Sequence, residues 1–202
     1  MTRLRFHWSM SAAGDPYRAT KARAAVSGIP DLEAHIAFCR VAEQCGLEYL
    51  LTAFGSHRPD ALVLAAALGM VTERIKFLVA VRSGLYAPTV FAQQVNTIAV
   101  LTGGRIGLNV VNGHTEREQR YYGDFLDHDQ RYARTDEFLD ICRALWEGRG
   151  PVTYSGQYYR VEGAALNTPF LAPERSEPEV YIGGASPQAV RQACKYLSLI
   201  HI

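Results

Sequence analysis

Apolar and polar positions along the chain follow two rhythms that take turns. Short apolar runs, LRFHWSM (4–10), YLLTAF (49–54), KFLVAV (76–81), RIGLNVV (105–111) and EVYIGG (179–184), are separated by longer stretches with helical spacing. The runs are almost continuously apolar, as strands covered on both faces are, and such strands belong to parallel sheets flanked by helices. The helical stretches carry their own punctuation. Asp31 is positioned as an N-cap for a helix to about Cys45, with Ile36, Cys39, Val41 and Ala42 as its apolar stripe and Gly46 at its end. Pro59 and Asp60 open ALVLAAALGMV, and Pro88 opens TVFAQQVNTIAVL, which Gly103-Gly104 closes. A polar stretch, 112–130, is long enough for a functional or mobile loop. A helix from about Arg131 to Trp146 follows, lined by Phe138, Ile141, Cys142, Leu145 and Trp146. Residues 151–166 suggest a hairpin turning at Ser155-Gly156, and 167–178 is Pro-rich and irregular. Ser186 as N-cap and Pro187 at the first helical position open the last helix.

Strand and helix thus alternate through about five βα units. A closed (β/α)₈ barrel takes about 250 residues, and this chain has 202. The pattern alone admits part of a barrel or an open doubly wound sheet. The 48% hydrophobic and 20% charged residues fit one globular domain. A formal net charge of +1 gives no electrostatic case for nucleic acid or an anionic membrane. No apolar run approaches the roughly 20 residues of a membrane helix, and the start has no signal-peptide core, so a cytoplasmic location is expected. The four cysteines form no CxxC pair; Cys39, Cys142 and Cys194 read as buried helical residues. The last six residues, LSLIHI (197–202), equal one reading frame of a transposon-end adaptor used in sequencing libraries. The expectation is a domain over 1–196 and an artefactual tail.

In βα proteins ligands gather at the C-terminal ends of the strands. Those ends here hold Trp8 to Met10, Thr52 to Phe54, Val81-Arg82, Asn109 to Gly113, and Gly183 to Ser186. The last is the most informative. Gly183 and Gly184 let the backbone come close to a ligand, and the Ser186 hydroxyl and the free N–H groups of the next helix then face it. That is a phosphate site, or else a plain helix cap. Asn109 and Asn112 place amides at a buried strand end, where each must find a partner, in a ligand or in the protein. Arg82 suits a cofactor, an anionic substrate or a salt bridge. His7 lies on the first strand, opposite Trp8; His57 and Arg58 follow the second. No His, Cys, Asp or Glu set has metal-ligand spacing, no GxSxG is present, and no GxGxxG follows the first strand.

Three segments carry a resemblance. They are FHWSM with Gly14-Asp15; FLVAVRSGLYAPTVFAQQVNTIAVLTGGRIGLNVVNG (77–113); and FLDHDQRYARTDEFLDICRALW (125–146) with YIGGAS (181–186) downstream. Their order and spacing resemble the bacterial luciferase-like flavin monooxygenases over 4–196, the alkanesulfonate monooxygenases most closely. The dimethylsulfone monooxygenases are similar too. The resemblance implies a luciferase-like (β/α)₈ TIM barrel with only its N-terminal part present, and an insertion at about 149–178. It implies FMN, supplied reduced by an NAD(P)H-dependent flavin reductase, and a two-component monooxygenase that uses dioxygen on a small organosulfur substrate. Carried onto this chain, the flavin residues are Ala53, Arg82, Asn109, Asn112, Tyr132, Gly183, Gly184 and Ser186, with a cis peptide near Ala80-Val81. His128 would orient Tyr132 or cap its helix. His7, His57 and Arg58 would meet the substrate; the alkanesulfonate pattern has Cys where this chain has Arg58. The catalytic His and Arg of relatives fall beyond residue 196, so the chain as given is expected to be inactive and prone to aggregate, and a full-length form to be a homo-oligomer. A deazaflavin (F420)-dependent oxidoreductase of the same superfamily, or a non-catalytic flavin-binding protein, is the alternative.

Overall fold

A computed structural model describes residues 4–10, 31–113 and 115–196, and the backbone of 199–201. Gly14 and Asp15 of the first motif lie outside the described residues. Contacts divide the chain into two units, Met1–Ala80 and Val81–Ile202.

The first unit contains β1 (His7–Ser9), α1 (Leu32–Gln44), β2 (Tyr49–Thr52), α2 (Ala61–Gly69) and β3 (Lys76–Val81), whose last residue opens the second unit. The three strands run parallel with β2 between the others; Tyr49 is in register with His7 on one side and Lys76 on the other. Both helices start where a carboxylate takes up stray N–H groups, Asp31 from Ala34 and Asp60 from Val63. The buried face of α1 is His35, Cys39 and Ala42; Cys39 and Ala42 are expected there, but Ile36 is half-buried and Val41 is 56% exposed. Residues 35, 39 and 42 stack at helical spacing, while 41 lies about a quarter-turn away. His35 is tolerated inside because its Nδ1 bonds the Asp31 carbonyl at 2.6 Å. β1 is shorter than the apolar run suggested: Leu4, Phe6 and Trp8 are exposed while His7 is half-buried against the Tyr49 ring.

Two glutamates fasten this unit. Glu43 Oε1 accepts from three consecutive backbone N–H groups, Glu73, Arg74 and Ile75, at 2.9, 2.6 and 3.0 Å. Glu48 accepts from Arg5 through two nitrogens at 2.6 and 2.8 Å and from Lys76 Nζ at 3.0 Å. Burial works against the Glu48 charge, yet the hydrogen bonds from Arg5 and Lys76 overcome it and hold the carboxyl at about 2, below its ordinary 4.5.

The second unit contains a 3₁₀ turn (Ser83–Leu85), α3 (Pro88–Thr102), β4 (Ile106–Val110), α4 (Glu116–Tyr121), α5 (His128–Glu147), β5 (Val152–Ser155), β6 (Arg160–Ala164), β7 (Glu179–Gly183), α6 (Pro187–Tyr196) and β8 (Leu199–His201). β4 and β7 pair in parallel, Gly107 with Glu179 through Val110 with Ile182, and β8 pairs in parallel with β7. Strand pairing thus reaches into the segment expected to be a tail. The hairpin β5–β6 forms its own antiparallel pair, as expected.

Packing of α3 on α5 makes the core. Phe91 and Phe138 meet at 5.1 Å between ring centroids, and the Trp146 indole N–H donates to Asn96 Oδ1 at 2.9 Å. All five expected apolar residues of α5 are buried. The helix begins at His128, three residues earlier than its apolar stripe suggested. Asp127 and Gln130 form a reciprocal capping box, which is polar and silent in a hydrophobicity pattern. The expected long loop holds the short helix α4, capped by Thr115. Its six residues expose mostly charge, so no apolar stripe announced it. Cys142 is buried but Cys194 is exposed. No described peptide bond is cis, including the one between Ala80 and Val81. No helix among the described residues is long and apolar enough to cross a membrane.

Glu137 of α5 fastens the hairpin as Glu43 fastens its turn. Its carboxylate accepts from the N–H groups of Gln157, Tyr158 and Tyr159 at 2.7, 2.8 and 3.0 Å. A Cβ on Gly156 would lie 2.3 Å from Glu137 Oε2. The Tyr159 hydroxyl then reaches the Ser83 carbonyl at 2.8 Å.

Two outcomes are expected. Glu137→Ala strands three N–H groups and lowers stability by about 2–3 kcal/mol. Limited proteolysis should then cut the hairpin before the rest of the unit; cleavage no faster than in the parent chain would count against the anchor. Glu48, whose folded value lies below its unfolded one, contributes stability that is present above about 4.5 and lost as pH falls toward 2. Glu48→Gln should cost about 1 kcal/mol at pH 7 and flatten acid denaturation over that interval; an unchanged acid limb in fluorescence-monitored unfolding would refute the link.

Candidate cofactor-binding site

In the second unit the ends of β4 and β7 and the starts of α5 and α6 come together. β4 and β7 are paired in register to Val110 and Ile182, so Asn109 to Gly113 and Gly183 to Ser186 leave the sheet side by side. Helix α6 opens with Ser186, whose Oγ accepts from the Ala189 N–H at 3.1 Å. The first-turn N–H groups of a helix have no partner within it. Pro187 has none to offer and Ala189 is taken, which leaves Gln188 N–H at the helix's positive end.

Tyr132 reaches this point from the second turn of α5. It is 8% exposed, and its hydroxyl accepts from Ser186 Oγ at 3.4 Å. Its own proton remains to be donated. His128 lies against the Tyr132 ring at 4.9 Å between centroids, itself exposed and bonded to Asp129. The structure thus has His128 beside Tyr132, with Asp127 as the helix cap. Gly184 closes the cradle. Its φ is 132°, and a Cβ there would lie 3.0 Å from Ala189 Cβ and 3.2 Å from the Tyr132 hydroxyl. Any side chain at 184 would therefore be strained and would fill the space between Tyr132 and the helix start. A hydroxyl donor, a helix N-terminus and bare glycine backbone brought together suit a phosphate group. The donor set and the missing Cβ fit the phosphate of FMN.

The remaining expected residues fall into distinct environments. Asn109 is the one half-exposed residue of β4, beside Gly183, and its amide makes no hydrogen bond to the described residues. Asn112 is engaged on every side. Thr135 Oγ1 lies 2.5 Å from its Oδ1, its Nδ2 donates to Gln192 Oε1 at 3.2 Å, and its carbonyl accepts from Arg131 Nε at 2.9 Å. Arg82 is 8% exposed, forms an ion pair with Glu118 of α4 and lies over the Tyr122 ring.

In the first unit Ala53 and Arg58 line a cleft at the ends of β1 and β2, with Met10, Thr52, Pro59 and the buried His35. Arg58 and His57 are exposed. His7 points instead at the Tyr49 ring, and burial, then Arg5, lower its pKa.

Residue-type reasoning missed Gln192, Thr135 and Glu118. The first two had a legible signal. Ala189, Gln192, Ala193 and Tyr196 form the buried stripe of α6, and Thr135 lies in that of α5. A polar residue inside an apolar stripe must be spending its hydrogen bonds on something.

A sequence model of the family described as luciferase-like monooxygenase matches residues 4–202. Among solved structures, the chain resembles the EDTA monooxygenase of Chelativorans sp. BNC1 at 26% identity and a TM-score of 0.86, covering 100% of this chain and 54% of that one. It also resembles a riboflavin lyase determined with modified FMN and riboflavin, at 23% identity and a TM-score of 0.76, over 98% of this chain and 54% of that one. An F420-dependent secondary alcohol dehydrogenase matches at 22% identity and a TM-score of 0.70, over 83% of this chain and 53% of that one. The chain thus spans about half the length of these neighbours and shares their fold over that span. The match over nearly the whole sequence, on the βα units expected, places this chain in the luciferase-like monooxygenase family.

Proposed function

We propose that the chain is the flavin-holding part of an FMN- and dioxygen-dependent monooxygenase, and that the cradle of Tyr132, Gly184 and Ser186 receives the cofactor phosphate. That cradle is the observation that carries the reading. Tyr132 donates a hydrogen bond, Ser186 fixes Tyr132 and caps α6, and Gly184 keeps the space open. Asn109 offers beside it an amide with no hydrogen bond to the described residues. The bound flavin would supply the oxygen-transferring chemistry, and the protein's part is to bind, orient and shield it.

Supply of reduced FMN by a separate NAD(P)H-dependent reductase, as in two-component systems, belongs to the same proposal, as do a cytoplasmic location and a homo-oligomeric full-length form. The substrate we propose is an alkanesulfonate or a related organosulfur anion. The exposed Arg58 guanidinium at the cleft of the first unit suits a negative head group, and the likeness to an EDTA monooxygenase also fits an anionic substrate. Because the chain spans 54% of that neighbour, we propose that these 202 residues do not turn over alone. The likeness to an F420-dependent dehydrogenase supports a second reading, hydride transfer with a deazaflavin on the same fold.

Binding measured by flavin fluorescence separates these. FMN should bind at least about tenfold more tightly than riboflavin, which lacks only the phosphate. Gly184→Ala should abolish that preference, and Tyr132→Phe should weaken it several-fold, by about the 1–2 kcal/mol of one hydrogen bond to an anion. Equal affinity for FMN and riboflavin would sink the cradle reading. Tight F420 binding without FMN binding would establish the second one.

A further inference from the structure

We infer that Gln192 is the positioning residue of the phosphate cradle, a side chain that bonds both α5 and the end of β4 from α6; this rests on the reading of that cradle given above.

Gln192 is 2% exposed, in the middle of the buried stripe of α6. Its two N–H bonds go to two places on α5: the Tyr132 carbonyl at 2.9 Å and Asp136 Oδ1 at 2.9 Å. Its Oε1 accepts from Asn112 Nδ2 at 3.2 Å. The amide orientation is forced. Turned over, its oxygen would face a carbonyl and a carboxylate, and its nitrogen would face another amide nitrogen. Thr135 closes the circuit from α5 to Asn112 Oδ1 at 2.5 Å, and Ser83 Oγ lies 2.7 Å from the same Thr135 hydroxyl.

The consequence for the cradle is geometric. Tyr132 presents its hydroxyl to the site and its carbonyl to Gln192. Ser186 caps the ten-residue helix that carries Gln192, six residues farther on. The separation of Tyr132 from the α6 N-terminus is therefore set by a bond Gln192 makes to Tyr132 itself, together with the bond from Gln188 Nε2 to Asp129 Oδ1 at 2.8 Å. The same seam has a second fastening farther down α6. There Tyr196 donates toward the Asp136 carbonyl and Asp140, both at 2.8 Å, and Lys195 reaches Asp140 at 2.9 Å. These bonds stabilise the helix pair but touch neither Tyr132 nor Asn112.

The two fastenings allow a direct test in the 202-residue chain, read as the ratio of riboflavin to FMN dissociation constants. Gln192→Met keeps length and apolar volume and removes the three bonds. The ratio is expected to fall about tenfold, with riboflavin affinity nearly unchanged. Tyr196→Phe cuts the lower fastening. It should lower the thermal midpoint and leave the ratio as in the parent chain. Asn112→Ala releases only the β4 side, serves if Gln192→Met does not fold, and should also lower the ratio. The inference is overturned if the folded Gln192→Met or Asn112→Ala chain keeps the parent ratio, if riboflavin affinity falls in step with FMN affinity, or if Tyr196→Phe lowers the ratio as much. A parent chain without any FMN preference overturns the cradle reading itself, and this inference with it.

Discussion

Helix α5 is one rigid rod that has to satisfy several neighbours at once, and the second unit is organised around that demand. Over twenty residues it offers Tyr132 to the cradle, Thr135 to Asn112, Asp136 to Gln192, Glu137 to the hairpin turn, Phe138 and Trp146 to α3, and Asp140 to the end of α6. With 3.6 residues per turn, consecutive residues point about 100° apart, so each neighbour meets its own stripe. A change of register anywhere along α5 would move all of these contacts together. The capping box at Asp127 and Gln130 and the left-handed Gly148 at the other end fix where the rod starts and stops.

Carboxylates at the edges of regular structure recur as fasteners. Glu43 gathers three backbone N–H groups of the turn before β3, and Glu137 gathers three of the hairpin turn. In both places the chain makes a bend that turns three consecutive N–H groups toward one side chain. One ionised carboxylate with several lone pairs answers the whole set, and charge makes each bond stronger than its neutral counterpart. Glu43 shows the effect on its own titration: burial opposes ionisation, but the backbone N–H groups of Arg74, Ile75 and Glu73 lower its pKa. Thus acids here hold loops onto helices, and an acid is not by its presence part of the chemistry.

The same economy of partners distinguishes ligand-facing groups from internal ones. Asn109 and Asn112 lie at the same strand end, three residues apart, yet the second is engaged within the protein and the first makes no hydrogen bond to the described residues. Arg82 has an acidic partner in Glu118, whereas Arg58 is exposed at a cleft. In a luciferase-like protein the groups that meet a flavin or a substrate are to be sought among those with bonding capacity left over.

The sequence by itself determined the element order, the parallel βα character, most helix caps and the glycine–serine turn ahead of α6. These depend on local chemistry: hydrophobic period, the N-cap preference of Asp and Ser, the backbone freedom of glycine. The motif order also pointed to the family. Tertiary structure alone decided how the polar residues are spent. Nothing in the spacing of Asn112, Thr135 and Gln192 shows that they form one circuit, because the two helices and the strand end that bring them together are up to 80 residues apart. The start of α5 and the existence of α4 also escaped the hydrophobic pattern, since both are written in charged and polar residues whose partners are chosen only when the chain folds.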